Sequence, residues 1–460
     1  MVNFKLFNIN QYITLNILFC LIPLSYILGN FAVNLNILLL IISSLFFFKR
    51  KIFQIKLLLI DKLIIIFFIF IFFTGTINTI EYLYLMYLEN LNSNKSLETI
   101  ETLTTTSQEQ IFTKTILYLR YFFLYMVIRF LITENKINFK WFFISCSVFC
   151  IFVSFDIFYQ FIFSKDIFGL VSQDPNGLSG PFGDERIAGG YLHKFSIFSF
   201  FLFPFFFKFK KIYLSIILSI LFIIFVVAII LSGNRMTLAL YLMCILLILI
   251  FEKKTRKYIP ISFVATIAIF YFIFSNNDQL KNHFHGLYAK GKQMVQIFVS
   301  ENLTKSSKVP GYLIPDYYQE FKTFYGTWLM NKYIGGGVRS FRHNCWKRTV
   351  IKSNERGTCS THPHNYYLEI LTDLGLLGLM FSSLIFLIAI YETLIKKYFL
   401  KTQLIDHYAN KLIIPFIFVF LSEIFPIRHS GSFFATMNST YIFLIISIII
   451  SLNFIKNKKN

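Results

Sequence analysis

The sequence predicts an all-α, polytopic membrane protein, on the evidence of its composition and the lengths of its apolar runs. Hydrophobic residues make up 56% of the 460 positions and charged residues only 15%, while Phe alone occupies 60 positions. A soluble globular chain carries more charge than this. The apolar residues form repeated runs of about twenty, the length of a helix that crosses a bilayer. Because these runs do not alternate with polar residues, they do not fit the strands of a membrane β-barrel.

The net charge of +21 is distributed in short basic clusters between the apolar runs. Basic residues gather at the cytoplasmic ends of membrane spans, so this pattern sets the orientation of the chain. It points to a membrane protein, and we expect no nucleic-acid partner. With the N-terminus inside, the clusters at 49–51, 208–211, 253–257, 396–397 and 456–459 all fall on the cytoplasmic side.

We expect about twelve transmembrane helices within a single polytopic domain over residues 1–460, since each span needs about twenty apolar residues. On the non-cytoplasmic side this leaves a polar loop near 78–112, a Gly-rich loop at 164–190 and a large loop at 276–365. The predicted spans lie near 11–30, 31–48, 58–77, 113–132, 141–163, 187–207, 212–231, 235–251, 258–275, 366–390, 412–428 and 437–455.

Within the large loop, aromatic residues recur at helical spacing. They predict a helix from about 315 to 333 that ends before three consecutive glycines. Two interpretations remain open for its apolar stripe: it covers a small core of the loop itself, or it lies on the outer leaflet with its aromatic rings at headgroup depth. The stripe consists of Phe321, Phe324, Tyr325, Trp328 and Leu329.

Ionisable residues within the predicted spans are candidates for function, because a charge at the bilayer centre costs about 2.5–3.5 kcal/mol on insertion scales. In this chain they gather at the outer ends of the spans, together with others in the adjoining loops or first helical turns. This clustering at one face predicts a functional site there. The set comprises Arg120, Asp156, His193, Arg235, Glu423 and Arg428, joined by Arg186, His364, Glu369 and Asp373.

Several of these residues stand at predicted helix starts, where free backbone N–H groups favour anions. Arg186 and Arg235 each precede or open a span, and an arginine fork binds phosphate oxygens bidentately. The sequence therefore predicts a diphosphate site. A purely structural role stays open for each of four residues. Arg186 could pair with an adjacent carboxylate, and Arg235 could snorkel to the interface. His193 could be a packed polar residue, and Glu423 could be a counter-charge.

The segment His362-Pro363-His364-Asn365 is the most specific feature. Proline prevents a helix before it, so the next helix begins at Asn365, a good N-cap, with His364 beside its N-terminus. A histidine can act as a general base at neutral pH. Two histidines could also bind a metal, but no third ligand is suitably spaced, and we predict no metal site and no cofactor.

Cys345 and Cys359 fall in the large outer loop, whereas the other cysteines fall within predicted spans. An oxidising outer compartment would let this pair form a disulfide, which is worth about 3 kcal/mol for a loop of this size. The alternative is two free thiols.

Four segments together resemble the O-antigen ligase and polymerase superfamily of bacterial inner-membrane glycosyltransferases. They are GPFGDERIAGGYL, LSGNRMTLAL, IGGGVRSFRHNC and THPHNYYLEILTDLGLLGL, within residues 180–390. The resemblance implies glycan transfer from undecaprenyl diphosphate on the periplasmic face, without metal or nucleotide sugar. It maps the essential histidine to His364 and two arginines to Arg235 and Arg186. The chain departs from the pattern before the amphipathic helix, where PDYYQEF lacks an arginine, and Arg339 or Arg342 could take that role.

We therefore expect an inverting, metal-independent O-antigen ligase that transfers the glycan to a hydroxyl of lipid A core, with His364 as base and Arg186 and Arg235 on the diphosphate. Membrane lipids are the other expected partners. A polymerase with a growing glycan as acceptor is the alternative in the same superfamily. A flippase for lipid-linked sugars would show internal repeats and polar residues in both leaflets; a non-catalytic subunit leaves the outer cluster unexplained. Supporting roles are predicted for His362, Asn365, Arg339, Arg120 and Glu369.

Overall fold

The structure, a computed structural model, is built from helices. It describes residues 2–92, 101–173, 176–252, 316–348, 359–400, 408–428 and 431–457, with residues 267, 268, 271 and 275. Most of the predicted span at 258–275, with residues 276–315 and 349–358 of the predicted loop at 276–365, therefore lies outside the described residues. Within the described part of the chain, every helical or extended segment that is assigned is a helix, in agreement with the predicted all-α class.

The first half of the chain supplies eleven α-helices in the described residues. A short 3₁₀ turn, Lys49–Gln54, carries the first basic cluster. The α-helices are α1 (Val2–Cys20), α2 (Ile22–Ile27), α3 (Asn30–Phe48), α4 (Leu59–Asn92), α5 (Glu101–Tyr118), α6 (Arg120–Thr133), α7 (Phe139–Phe163), α8 (Ala188–Phe195), α9 (Ile197–Phe206), α10 (Lys211–Leu231) and α11 (Arg235–Phe251).

The second half supplies the loop helices and the last spans. The helix α12 (Asp316–Met330) confirms the aromatic helix predicted at 315–333. It is followed by α13 (Phe341–Asn344), α14 (Tyr366–Ile390), which continues as a π-helix over Tyr391–Phe399, α15 (Tyr408–Glu423) and α16 (Thr436–Asn457).

Seven helices of the described residues are long and apolar enough to cross a membrane. Two shorter apolar helices cover Gln11–Ile27 and Arg235–Phe251. The predicted span at 187–207 is divided into α8 and α9, which meet at Ser196. The chain is thus a multi-pass helical membrane protein, while the count of about twelve spans stays a prediction. The seven are Asn30–Gln54, Leu59–Glu81, Gln110–Thr133, Phe139–Phe163, Lys211–Leu231, Tyr366–Phe399 and Thr436–Asn453.

One large apolar core joins most of the spans, and phenylalanine fills much of it. Phe142, Phe198 and Phe416 come from three different helices, and the ring centroids of Phe198 and Phe416 lie 4.8 Å apart. Phenylalanine suits this setting because it fills volume with few rotatable bonds and no polar atom. Many of the phenylalanines in the sequence therefore serve to fill the core between the helices.

Consecutive spans joined by short turns run in opposite directions, so their turns gather at two ends of the bundle. We call the end that carries the Gly-rich loop, the start of α11 and the start of α14 the site end. At the opposite end, Arg129 donates to both carboxylate oxygens of Asp61, at 3.0 and 2.8 Å, and Tyr125 donates to the same carboxylate. All three side chains are buried. This ion pair departs from the expected gathering of embedded charges at one end.

The span α14 is interrupted near the site end by Gly375, whose φ of 66° and ψ of −169° are not helical. A Cβ there would collide with the backbone carbonyl of Tyr333, so only glycine allows the loop before α13 to approach. From the sequence alone, a glycine within a span is compatible with close packing against a neighbouring span. The structure shows instead that it admits a loop.

Candidate functional site

The two histidines of the THPHN segment lie side by side in the loop before α14. Their ring centroids are 4.4 Å apart. His364 has a φ of 52°, in the left-handed region that few non-glycine residues adopt. Such strained positions concentrate at functional sites. The segment therefore holds the two imidazoles together at the site end, as its proline and short spacing predict.

His362 is largely covered, and its environment disfavours the charged form. Its Nδ1 lies 3.0 Å from the hydroxyl of Thr361, and its buried Nε2 has no hydrogen-bond partner among the described residues. Burial, then the nearby charges of His364, Arg342 and Arg339, lower its pKa from 6.5 to about 4. His362 is therefore neutral at physiological pH and a weak base.

Asn365 fixes the start of α14 in two ways. Its side-chain oxygen accepts from the backbone N–H groups of Tyr367 and Leu368, at 2.9 and 3.2 Å, which is a standard N-cap. Its amide nitrogen donates to the carbonyls of Pro426 and Arg428, at 2.8 and 3.1 Å. Asn365 therefore caps the helix, as the sequence predicts, and it also links α14 to the segment after α15.

The loop at 331–340, which carries the three consecutive glycines 335–337, docks onto the break in α14 at Gly375. The carboxylate of Asp373 accepts from the backbone N–H groups of Arg339 and Phe341, at 2.7 and 3.0 Å, and from the hydroxyl of Ser340. Backbone hydrogen bonds run both ways across the break: Gly336 to Thr372, Gly337 to Asp373, Leu376 to Lys332, and Leu377 to Tyr333. Asp373 therefore holds the backbone of Arg339 next to α14.

Arg339 is held at the junction of several elements. Its guanidinium donates to the carbonyl of Phe434 through Nε at 3.2 Å and Nη2 at 2.9 Å. Burial, and then the charges of Arg342 and Arg120, lower its pKa, while Glu369 acts in the opposite direction. The structure thus brings Arg339 close to Arg120, a predicted supporting residue, and to Arg342, the alternative candidate for the missing loop arginine.

Glu369 lies in the first turn of α14 and is buried. Its carboxylate accepts from the hydroxyl of Ser432 at 2.6 Å and from the backbone N–H of Phe433 at 2.5 Å. These bonds tie α14 to the segment that leads into α16. Glu369 therefore supports the backbone at Phe433, next to the Phe434 carbonyl that accepts hydrogen bonds from Arg339.

Arg186 and Arg235 form a second basic group at the site end. Arg235 opens α11 behind the N-cap Asn234, whose side chain accepts from Thr237 N–H at 3.3 Å. The Gly-rich loop packs on this turn because Gly177 lies against the backbone of Ser232. Burial, followed by the charge of Arg235, lowers the pKa of Arg186. The two side chains therefore lie close enough for their charges to interact, and the shared diphosphate site stays a prediction.

A buried ion cluster links α8, α14 and α15. The carboxylate of Glu423 lies 2.5 Å from Lys194 Nζ and 2.6 Å from Arg428 Nη1, and it accepts from the Tyr366 hydroxyl at 2.7 Å. The interpretation of Glu423 as a counter-charge fits this geometry. His193 is also packed, with Nε2 2.8 Å from the Ser422 hydroxyl.

The helix α12 covers a small core of the large loop. Phe324 packs with Phe341, Cys345 and the partly buried Trp328. Phe321 and Tyr325 point away and are 50% and 47% exposed. The predicted apolar stripe is therefore divided between two environments. Phe324 and Trp328 cover the small core of the loop, as the first interpretation predicts, whereas Phe321 and Tyr325 are exposed.

Cys345 and Cys359 are joined in a disulfide, with their Cα atoms 5.8 Å apart. Arg348 Nη1 donates to the Cys345 carbonyl at 2.9 Å and contacts the Cys359 sulfur at 3.3 Å. The disulfide links the residue directly after α13 to the loop segment that leads into the histidine pair.

Sequence reasoning missed two basic residues of the site end, Lys114 and Lys194, and named Arg342 only as a substitute for the missing loop arginine. Lys114 and Lys194 lie within the predicted spans 113–132 and 187–207. Both therefore carried a detectable signal, since a charge inside a span is unusual. Within the described residues, no group of three or more His, Cys, Asp or Glu side chains is arranged to hold a metal ion, and the metal-free reaction stays a prediction.

Comparison with known proteins identifies one family. No curated protein matches the chain significantly. The family model for O-antigen ligase matches residues 218–382, which include Arg235, Arg339 and both histidines. Arg186 and Arg120 lie before the matched segment. The match supports the resemblance noted from the sequence: over residues 218–382, this multi-pass membrane protein is similar to the O-antigen ligase family.

Proposed function

We propose that the protein is an O-antigen ligase that transfers a glycan from undecaprenyl diphosphate to a hydroxyl of lipid A core. The observation that carries the proposal is the adjacent pair His362 and His364, held at the capped start of α14 beside Arg339 and Arg342 and inside the matched family segment. A polar, basic site at the end of an apolar helical bundle suits a substrate with a sugar head and a lipid tail.

His364 is the proposed general base. A base works best when its pKa lies near the operating pH. The pKa of His362 is lowered to about 4, so that ring is poorly suited to take a proton at pH 7. The neighbouring His364 is then the better candidate, and the neutral ring of His362 stands beside it.

Arg186 and Arg235 are the proposed diphosphate ligands. Their charges disfavour one another in partly buried surroundings, and an anion bound between them would relieve that repulsion. Arg235 also stands at the N-terminus of α11, where free N–H groups add to the attraction. A bidentate fork on each arginine matches the oxygens of a diphosphate.

An apolar groove of about 510 Å³ accommodates the lipid tail under this proposal. It lies between α11, α14 and α15, and its lining includes Met243, Tyr367 and Pro426. Asn365 donates to the carbonyl of Pro426, so the groove approaches the residue next to His364. Arg235 begins the helix that forms one wall. A polyprenyl chain in this groove would therefore bring its diphosphate toward both groups.

The proposed step is a single inverting displacement. The acceptor hydroxyl gives its proton to His364 while its oxygen forms a bond to the anomeric carbon of the glycan. The bond from that carbon to the diphosphate oxygen breaks on the opposite face, and its electron pair leaves with undecaprenyl diphosphate. Arg186 and Arg235 stabilise the negative charge on that leaving group.

We place the site on the periplasmic face of the bacterial inner membrane, since the basic clusters 49–51, 208–211 and 396–397 lie at the other end of the bundle. A reporter fused after Lys257 should read the cytoplasm. A periplasmic reading there would overturn both the orientation and the assignment of the site.

The direct test of function is transfer by the purified protein. The donor is a glycan on undecaprenyl diphosphate, offered with lipid A core in one reaction and with a second lipid-linked glycan in another. We expect product only with lipid A core. Elongation of the second glycan instead would identify a polymerase, and no transfer to either acceptor would reject glycosyl transfer to these substrates.

A further inference from the structure

A second groove at the site end combines cations with a lipid-facing wall. It has a volume of about 570 Å³ and lies between α3, the turn from α5 to α6, the start of α16 and the loop that carries Val338 and Arg339. It is distinct from the apolar groove of α11, α14 and α15, with which it shares no lining residue.

The charged lining of this groove is entirely positive in the described part of the chain. Lys114, Arg120 and Arg339 line it, and the described lining contains no carboxylate. A small adjoining cavity, lined by Lys114, Arg339 and Arg342, extends the same basic surface. Several cations in one concave site, with no acid among them, favour binding of an anion.

The guanidinium groups are fixed in place by neutral acceptors, with no hydrogen bond or ion pair to a carboxylate among the described residues. Arg120 donates to the Leu117 carbonyl at 2.6 Å and to the Tyr121 hydroxyl at 2.7 Å, both uncharged acceptors. Its Nε is buried and has no hydrogen-bond partner among the described residues. Arg339 is likewise held by a neutral carbonyl, that of Phe434. The positive charge is thus preorganised and still available to a ligand.

The remaining walls are apolar and continue onto the outer surface of the bundle. Leu38, Ile116, Leu117 and Phe123 line the groove, and between 38% and 48% of each is exposed. All four belong to helices that are long and apolar enough to cross a membrane. A ligand with an acyl chain could therefore leave its chain in the membrane and place its headgroup against the cations.

We infer that this groove binds the phosphate of the acceptor lipid, separately from the donor diphosphate. The inference rests on the proposed function, in which two amphiphilic substrates must meet at one base. His362 lies close enough to Arg339 and Arg342 for their charges to act on it, so a headgroup held here would extend toward the histidine pair. Lipid A carries phosphate on a lipid anchor and matches the charge and the walls of the groove.

The test is binding of lipid A to the full-length protein in detergent, measured without turnover. Lys114→Gln/Arg120→Gln removes the two charges supplied by α5 and α6. Because each substitution removes a charge-assisted hydrogen bond to the phosphate, the Kd for lipid A should rise at least about tenfold. Dephosphorylated lipid A should bind wild type and variant alike. Arg50→Gln, which removes an exposed arginine at the opposite end, should change the Kd less than about twofold.

Unchanged binding of lipid A to the double variant would overturn the inference. So would a variant that loses affinity for undecaprenyl diphosphate in place of lipid A, because the groove would then be the donor site. If wild type binds lipid A through these residues but transfers no glycan to it, the groove stands and the ligase proposal fails. Thermal unfolding of each variant in detergent checks that the bundle is intact.

Discussion

Gly375→Ala should undock the loop that carries Arg339, and a second glycine provides a matched control. Gly375 has φ 66° and ψ −169°, and Gly29 has φ 96° and ψ −178°, so both occupy a backbone region that is nearly exclusive to glycine. A Cβ on Gly375 would collide with the Tyr333 carbonyl, whereas a Cβ on Gly29 would have no atom within 4 Å. The pair therefore separates backbone strain from collision.

Backbone strain of this kind costs about 1–3 kcal/mol, and we expect it in both variants. In Gly375→Ala the collision also breaks backbone hydrogen bonds between the loop and α14, each worth about 0.5–1.5 kcal/mol. Loss of two of them would about double the effect. The thermal midpoint in detergent should therefore fall for Gly29→Ala and fall further for Gly375→Ala.

Hydrogen exchange provides the local measurement. Peptides covering 332–339 should exchange faster in Gly375→Ala and at the wild-type rate in Gly29→Ala. Glycan transfer should drop at least about tenfold in the first variant, because a displacement of about 1 Å near a reacting centre can cost that much or more, and should be kept in the second. Equal exchange of this loop in the two variants would refute the docking argument.

Three further predictions follow from the same geometry. Arg235→Ala should abolish transfer in a folded protein and Arg235→Lys should recover little, because a point charge does not replace a fork; normal transfer by Arg235→Ala would remove it from the mechanism. Alkylation of the denatured protein should label Cys345 and Cys359 only after reduction, and equal labelling without reductant would reject the bridge. The unfolded chain protonates His362 near pH 6.5, whereas the folded chain protonates it only near pH 4, so the free energy of unfolding falls as the pH drops from about 6.5 to about 4. His362→Asn should therefore weaken the acid-induced fall in the thermal midpoint. An unchanged fall would contradict this.

Much of the bundle could be predicted from the sequence because a membrane span must be long and apolar. The start of α14 was also predictable, since proline excludes a helix before it and asparagine caps the one after it. The same local chemistry placed the two histidines together. These features depend on neighbouring residues, which the sequence displays directly.

The convergence of distant residues could not be predicted in the same way. Arg120, Arg339 and Lys114 share a groove only because the loop before α13 docks on α14, and that docking depends on Gly375 and Asp373. In the sequence, a glycine within a span is equally compatible with close packing of two helices. The buried pair Asp61 and Arg129 shows, in addition, that an embedded charge can be structural at the end of the bundle away from the site.

The measurement that tests the central claim most directly is the rate of glycan transfer by His364→Ala beside His362→Ala, with donor binding followed separately. A well-placed general base contributes about 10²–10⁴-fold. The account predicts a loss of at least about a hundredfold for His364→Ala with donor affinity kept, a smaller loss for His362→Ala, and no effect of a chelator on wild type. Activity retained in His364→Ala, a greater loss in His362→Ala, or inactivation by the chelator would contradict it.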